Sequence, residues 1–109
     1  MAYDEGLAQR IRELVQQVPM LTEKKQFGGI AFMVHGNVAC GVLGDELMVR
    51  VGPERHQSAL AQPHTRPFDF TGRPMQGWVI VTAPGIESDQ ALKSWVQQGL
   101  DFALSLPAK

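Results

Sequence analysis

Apolar positions follow a helical period near both ends of the chain. Near the start the apolar residues recur every three or four positions, at Leu7, Ile11, Leu14, Val15 and Val18. This spacing predicts an amphipathic helix, which Asp4 would cap and Pro19 would end. Near the other end the same spacing recurs at Leu92, Trp95, Val96, Gly99 and Ala103. We predict a second helix there, from Ser88 as the N-cap to about Leu104.

Between these helices the chain reads as short strands joined by turns. Three largely apolar runs follow one another, over Ile30–His35, Val38–Leu43 and Glu46–Val51. The pairs that separate them, Gly36-Asn37 and Gly44-Asp45, suit tight turns because Gly, Asn and Asp tolerate a positive φ. The pattern therefore predicts a three-stranded antiparallel meander.

Shorter elements fill the rest of the chain. We expect Leu21–Phe27 to be a polar connector and Pro53–Ala61 to be a short helix, since proline suits the first helical position. A fourth and a fifth strand are predicted at Phe68–Phe70 and Gly77–Thr82. The order α-β-β-β-α-β-β-α indicates an α+β fold with one five-stranded antiparallel sheet and packed helices. We expect the 109 residues to form a single domain, 1–109.

Both faces of the predicted meander are apolar. If each turn has two residues, alternation places Cys40 and Val42 on the core face. The opposite face then holds the apolar residues Ile30, Phe32, Val34 and Met48. Helices on one side of the sheet would leave these residues exposed, which predicts a surface for a second copy of the chain. The assignment depends on turn length, since a slip of one residue swaps the faces.

The charge balance narrows the class of partner. Ten Lys and Arg residues against eleven Asp and Glu residues give a net charge of -1 and a pI near 6.3. Proteins dedicated to nucleic acid usually carry a basic face, so direct nucleic-acid binding is not expected. Lys24, Lys25, Arg50 and Arg73 are the candidates for a small surface that meets a partner or an anion. Weak DNA contact through such cations is one alternative function.

Few residues could support catalysis. Cys40 and His35 could form a nucleophilic pair or half of a metal site, and Arg50 could hold a small molecule beside them. However, no C-x-x-C motif is present, and Gly28-Gly29 lacks the spacing of a phosphate-binding loop. We therefore predict no catalytic residues, no metal and no cofactor, and keep an enzyme or small-molecule site as an alternative.

The cellular compartment can be predicted from the number of cysteines and the length of the apolar runs. One cysteine suits a reducing environment, and no apolar run approaches the roughly 18 residues that span a bilayer. We expect a cytoplasmic protein that does not engage a membrane.

Three segments resemble the N-terminal domain of the TfoX/Sxy family, bacterial regulators of natural competence. They are Lys25–Val38 with its Phe-Gly-Gly entry, Leu47–Val51 as the third strand, and Phe68–Met75 with its Gly-Arg-Pro-Met ending. The closing helix with Trp95 also fits, so the resemblance covers about residues 3–106. Gln26 stands where the family usually has Met.

The resemblance implies an α+β sandwich similar to the type III secretion chaperones. It also implies competence regulation through the cyclic-AMP receptor protein, and it supplies no accepted catalytic residues. The longer regulators carry a second, helical domain, so we expect this chain to be a stand-alone, single-domain member. The sequence thus predicts a non-catalytic, homodimeric interaction domain that can also meet a transcription-regulating protein.

Overall fold

The computed structural model describes residues 3–26, 28–69, 72 and 75–108. The α-helices are α1 (Glu5–Val15), α2 (His56–Leu60) and α3 (Asp89–Ser105), with 3₁₀ turns at Pro53–Arg55 and Ala83–Ile86. The strands are β1 (Leu21–Gln26), β2 (Gly29–Val34), β3 (Asn37–Leu43), β4 (Glu46–Arg50), β5 (Thr65–Pro67) and β6 (Trp78–Val81). The α+β prediction is confirmed, with six strands instead of five in the described part of the chain.

One antiparallel sheet contains these strands in the order β1-β2-β3-β4-β6-β5. The predicted meander is confirmed as β2, β3 and β4. The prediction of a connector at Leu21–Phe27 is wrong, because Leu21–Gln26 pairs along its length with β2. β1 is an edge strand with residues 22–25 exposed, and the charged side chains that are common on such edges give no apolar alternation.

The face assignment of β2 is also wrong. Val34 pairs with Asn37, so the turn residues are His35 and Gly36, with φ of 52° and 81°. The turn lies one residue earlier than predicted, but this moves the register by two residues and leaves Met33 and Val38 on one face, as predicted. The exchange comes from a β-bulge at Ala39, because the extra residue in β3 puts Phe32 rather than Met33 on the face of Cys40.

The consequence is that Ile30, Phe32 and Val34 belong to the hydrophobic core. They are 4%, 0% and 0% exposed, and Phe32 lies opposite Cys40. On the other side of the bulge, Met33 lies opposite Val38. Ala39, between Val38 and Cys40, therefore has no partner in β2. The prediction that Ile30, Phe32 and Val34 form an exposed dimer surface is thus corrected.

Met48, the fourth residue of that predicted surface, does lie on the side away from the core cluster. Its exposure is nevertheless 7%, so it is not the exposed residue that the sequence predicted. The physical reason is Gly41 in the neighbouring strand, where an added Cβ would come within 2.9 Å of Met48 Cε. The methionine lies flat over the glycine.

The helices form a second layer on one face of the sheet. α3 packs on β2, β3 and β4, α1 packs on α3 and β3, and α2 packs on β5 and β6. The residues that they enclose are almost all aliphatic, and they include Leu7, Ile11, Val42, Leu47, Val49, Val79, Val81, Leu92, Trp95 and Val96. Burial of this apolar surface is the main stabilising contribution to the fold.

Two predicted helix caps are confirmed. The Asp4 side chain accepts a hydrogen bond from Leu7 N, and the Ser88 hydroxyl accepts one from Ala91 N, each at 3.1 Å. Such caps satisfy backbone N–H groups that the first helical turn leaves unpaired. α1 ends at Val15, before the predicted end at Val18.

The fourth strand lies earlier in the chain than predicted. β5 covers Thr65–Pro67 rather than Phe68–Phe70, and it pairs with β6. Phe70, the last residue of the predicted strand, lies outside the described residues.

Candidate interaction surface

The side of the sheet away from the helices forms a continuous face, called here the outer face. Its central row crosses the six strands through residues that lie opposite one another: Lys24, Ala31, Gly41, Met48, Ile80 and Arg66. Ala31, Met48 and Ile80 are buried, yet they do not belong to the core cluster. Half-buried side chains extend the face along the strands, namely Met33, Val38, Leu43 and Trp78. The outer face therefore has an apolar centre.

Two glycines make this face flat. A Cβ added at Gly29 would come within 2.7 Å of Leu43 Cδ2. In the same way, a Cβ added at Gly41 would come within 2.9 Å of Met48 Cε. Because neither glycine carries a side chain, Leu43 and Met48 lie down on the neighbouring strand. Beside them, a depression of about 170 Å³ is lined by Leu43, Glu46, Arg66, Phe68, Asp69 and Ile80.

Charged groups surround the apolar centre. Glu46 of β4 pairs with Arg66 of β5, and Lys24 lies exposed on β1 at the opposite edge. The Arg50 guanidinium lies 5.2 Å from the ring centroid of Trp78 and 5.3 Å from that of Phe102. Both distances fall within the range of cation–π contacts. Since Phe102 belongs to α3, Arg50 marks the end of the outer face that adjoins the helical layer.

Arg50 differs from three other arginines in its partners. Arg10, Arg12 and Arg66 each form a salt bridge with a carboxylate. Within the described residues, Arg50 has aromatic contacts but neither a salt bridge nor a hydrogen bond from its guanidinium. The residue as a whole is half-buried.

The predicted group of four cations is not gathered into one patch. Lys24 pairs with Ala31 on the outer face, whereas its neighbour Lys25 pairs with Ile30 and points to the helix side. Arg50 lies on β4, separated from β1 by β2 and β3. Arg73 lies outside the described residues.

The alternative site at Cys40, His35 and Arg50 is not assembled either. Cys40 is fully buried in the core, and this burial raises the pKa of its thiol to about 12. The thiol therefore stays protonated at neutral pH and is a poor nucleophile. His35 lies in the β2–β3 turn, and Arg50 lies on the opposite face of the sheet.

The other histidines have structural contacts. His56 Nδ1 accepts a hydrogen bond from Gly77 N at 2.9 Å, and the His64 carbonyl accepts one from Thr82 N at 2.8 Å. Over the part of the chain that the structure describes, no three His, Cys, Asp or Glu side chains are placed to share a metal ion. Likewise, none of its helices is long and apolar enough to cross a membrane.

A cleft of about 500 Å³ lies between the 3₁₀ turn at Pro53–Arg55 and the end of α3. Its floor is apolar, with Val51 and Phe102, and its rim carries Glu54, Arg55 and Asp101. Cys40, His35 and Arg50, the residues of the predicted small-molecule site, do not line this cleft. The sequence does not indicate this cleft, because its residues come together only through the packing of distant segments.

The fold and this surface define a two-layer α+β domain with one helix-covered and one helix-free sheet face. A sequence model of the TfoX N-terminal domain matches residues 13–103. The chain belongs to the TfoX N-terminal domain family, which is not known as a family of enzymes. A comparison with curated proteins and one with solved structures gave no significant match.

Proposed function

We propose that this chain is a non-catalytic, cytoplasmic interaction domain that forms a homodimer through its outer face. Its setting would be the competence-related or transcriptional regulation that its family suggests, with a transcription-regulating protein as a further partner. One observation carries the proposal: the described helices cover a single face of the sheet, and the opposite face carries the half-buried apolar residues Met33, Val38, Leu43 and Trp78.

The chemistry of the outer face resembles that of a protein interface. Such interfaces combine an apolar centre with a polar rim, and they are flat enough for two surfaces to fit closely. Here the half-buried Met33, Val38 and Leu43 supply the apolar surface, while Lys24, Glu46 and Asp69 supply charges around it. A second copy of the chain is the occupant we favour, because the rim carries both signs of charge and can complement itself.

The alternatives have less support. Nucleic-acid affinity rises with the number of phosphates that cations neutralise. On the outer face, Arg66 is already paired with Glu46, which leaves Lys24 and Arg50 among the described residues. A nucleophilic role for Cys40 would need an accessible thiolate, and Cys40 is buried and protonated.

Sedimentation equilibrium tests the proposal over micromolar to near-millimolar concentrations. We expect wild-type protein to dimerise and Val38→Lys to shift it toward monomer, because a lysine there puts a charge in the apolar interface. Val38 is only half-buried, so the lysine can reach solvent and the fold should survive, as circular dichroism would show.

The matched control is Leu104→Lys, which adds the same charge on α3 at a residue that is 51% exposed. We expect it to dimerise like the wild type. A wild type that stays monomeric at every concentration would contradict the proposal, as would equal dimerisation of Val38→Lys.

A further inference from the structure

Arg50, the last residue of β4, is a half-buried cation that no anion neutralises within the described residues. Its guanidinium carbon lies 5.2 Å from the ring centroid of Trp78 and 5.3 Å from that of Phe102. Cation–π contacts are attractions to the ring and do not supply an acceptor for each N–H group. A guanidinium carries several N–H donors in one plane, so those of Arg50 remain available for hydrogen bonds.

These N–H donors can be reached from solvent. Within the described residues, every side-chain nitrogen or oxygen that is shielded from solvent in a buried or half-buried residue has a hydrogen-bond partner. The guanidinium nitrogens of Arg50 have no such partner, so they retain solvent-accessible surface. A ligand can therefore contact them without a change in the fold.

Aromatic side chains surround the guanidinium. Trp78 lies opposite Arg50 in the neighbouring strand, and its ring centroid lies 5.9 Å from that of Phe68. Phe68, Trp78 and Phe102 are each half-buried, so none of them is enclosed in the core. An apolar environment of this kind beside one guanidinium favours a ligand that combines an apolar body with an anionic group.

The charges around Arg50 favour an anion with a single charge. Lys24 lies on β1, beyond β2 and β3, and Arg66 is already paired with Glu46. A phosphate monoester carries nearly two negative charges near neutral pH, which one guanidinium would not balance. A carboxylate carries one charge, and its two oxygens match the fork of N–H groups on a guanidinium.

We propose that Arg50 anchors a binding site for a carboxylate that is attached to an apolar body. The carboxylate oxygens accept hydrogen bonds from the guanidinium, and the apolar body lies against the neighbouring aromatic rings. The site goes beyond the proposed homodimer, because it requires only one copy of the chain. Two sources share this chemistry, namely a free carboxylic acid and an acidic side chain of another protein.

The aromatic contacts also prepare Arg50 for binding. A long side chain loses conformational entropy when a ligand immobilises it, and this loss weakens binding. The contacts with Trp78 and Phe102 already restrict the Arg50 side chain, so less entropy is lost when the carboxylate binds. Because the residue is half-buried, the attraction between the two charges is also screened less than it would be on an open surface.

Titration of the wild-type protein with benzoate, followed by NMR, tests the site. Benzamide is the matched neutral ligand, since it has the same ring without the charge. Protein concentration and ionic strength are held constant, so that neither dimerisation nor screening changes during the titration. We expect benzoate to shift the Arg50 Nε–H and Trp78 indole N–H signals to saturation, and benzamide to bind at least about tenfold more weakly. The Trp95 indole, which belongs to the core, should not shift.

Two variants of Arg50 separate charge from geometry. Arg50→Gln removes the charge, and we expect it to bind benzoate at least about tenfold more weakly than the wild type. Arg50→Lys keeps the charge but loses the planar fork, so its affinity should lie between those two. The matched control is Arg55→Gln, which removes a cation from an exposed residue that lines the cleft of about 500 Å³. It should bind benzoate like the wild type.

A dipeptide ligand distinguishes the two sources of the carboxylate. N-acetylated phenylalanyl-glutamate amide is compared with its phenylalanyl-glutamine counterpart. Tighter binding of the acidic peptide than of benzoate supports an acidic residue of another protein as the natural ligand. Tighter binding of benzoate supports a free carboxylic acid. In both cases binding must weaken in Arg50→Gln.

Three results would overturn the site. Equal binding of benzoate and benzamide to the wild type would show that the charge is not recognised, and this comparison needs no variant to fold. Weaker binding in Arg55→Gln but not in Arg50→Gln would place the carboxylate in the cleft instead. The absence of any saturable shift with benzoate and with the acidic dipeptide would show that no such site exists. A monomeric wild type would contradict the homodimer and leave this test unchanged.

Discussion

Gly99 of α3 lies directly against the carbonyl oxygen of Ala39 in β3. A Cβ at position 99 would come within 2.2 Å of that oxygen, a distance that real contacts do not reach. Ala39 is the bulge residue that has no partner in β2, so the helix meets the sheet where the ladder is interrupted. This contact sets how closely the helical layer approaches the sheet.

Gly99→Ala should therefore destabilise the protein although alanine is the better helix former. The propensity gain of about 1 kcal/mol is outweighed by the shift that α3 must make, which costs about 3 kcal/mol, so we expect a net loss of about 2 kcal/mol. Urea unfolding measures this. Ser94→Ala, an exposed change in the same helix, should be neutral or slightly stabilising. Equal stability of Gly99→Ala and wild type would show that α3 does not pack closely against the Ala39 carbonyl.

Asn37 ties the end of the chain to the start of β3. Its side chain is 2% exposed, and its Nδ2 donates a hydrogen bond to the Pro107 carbonyl at 3.0 Å. Asn37→Ala removes the Nδ2 donor and leaves the Pro107 carbonyl without this hydrogen bond. We expect the free energy of unfolding to fall by about 1–3 kcal/mol.

The segment after α3 should also become easier to cleave in the Asn37→Ala variant. Limited proteolysis followed by mass spectrometry would show cuts after Ser105 before cuts elsewhere. Unchanged stability together with an unchanged cleavage pattern would mean that the hydrogen bond does not anchor this segment.

Cys40 makes the stability depend on pH in the alkaline range. Burial raises the pKa of the thiol from 9.0 to about 12, so the folded protein keeps a proton that the unfolded chain loses. Above about pH 9 the unfolded state binds fewer protons, and the free energy of unfolding falls as the pH rises toward 12.

Cys40→Ala lacks this dependence. We expect the stability difference between wild type and Cys40→Ala to be constant below about pH 8, with the wild type losing stability faster above pH 9. Urea titrations at a series of pH values measure it. Parallel curves for the two proteins up to pH 11 would show that the thiol is not held protonated in the core.

The helices could be predicted from the sequence because their signals are local. Asp4 and Ser88 act through backbone N–H groups three residues further on, and the α3 stripe that includes Trp95 lies on one face of a single helix. Helix ends were less well predicted, since α1 stops at Val15 where local apolar spacing would allow it to continue.

The faces of the sheet could not be predicted because they depend on a β-bulge that alternation cannot show. The extra residue, Ala39, exchanges the faces of β2 relative to the rest of β3. The position of the turn was also missed, because His35 adopts a positive φ, which a non-glycine residue rarely does, while Gly36-Asn37 has the residue types of a better turn. The residues Ile30, Phe32 and Val34 were therefore assigned to the wrong side, and Met33 and Val38 were missed as outer-face residues.

The candidate site was predictable only in its individual residues. Met48 and Arg50 were singled out from the sequence, but the contacts of Arg50 with Trp78 and Phe102 join three separate elements. The outer face becomes recognisable only once β4 is known to lie near the middle of a sheet whose described helices pack on one side.

The most direct test of the outer-face dimer is the concentration dependence of backbone amide chemical shifts by NMR. The amide signals of wild-type protein are compared between dilute and concentrated samples. We expect shifts to concentrate at Met33, Val38, Met48 and Arg50, with α1 and α3 unchanged. Shifts confined to the helices, or the absence of any concentration dependence, would contradict the assignment of the outer face as the dimer surface.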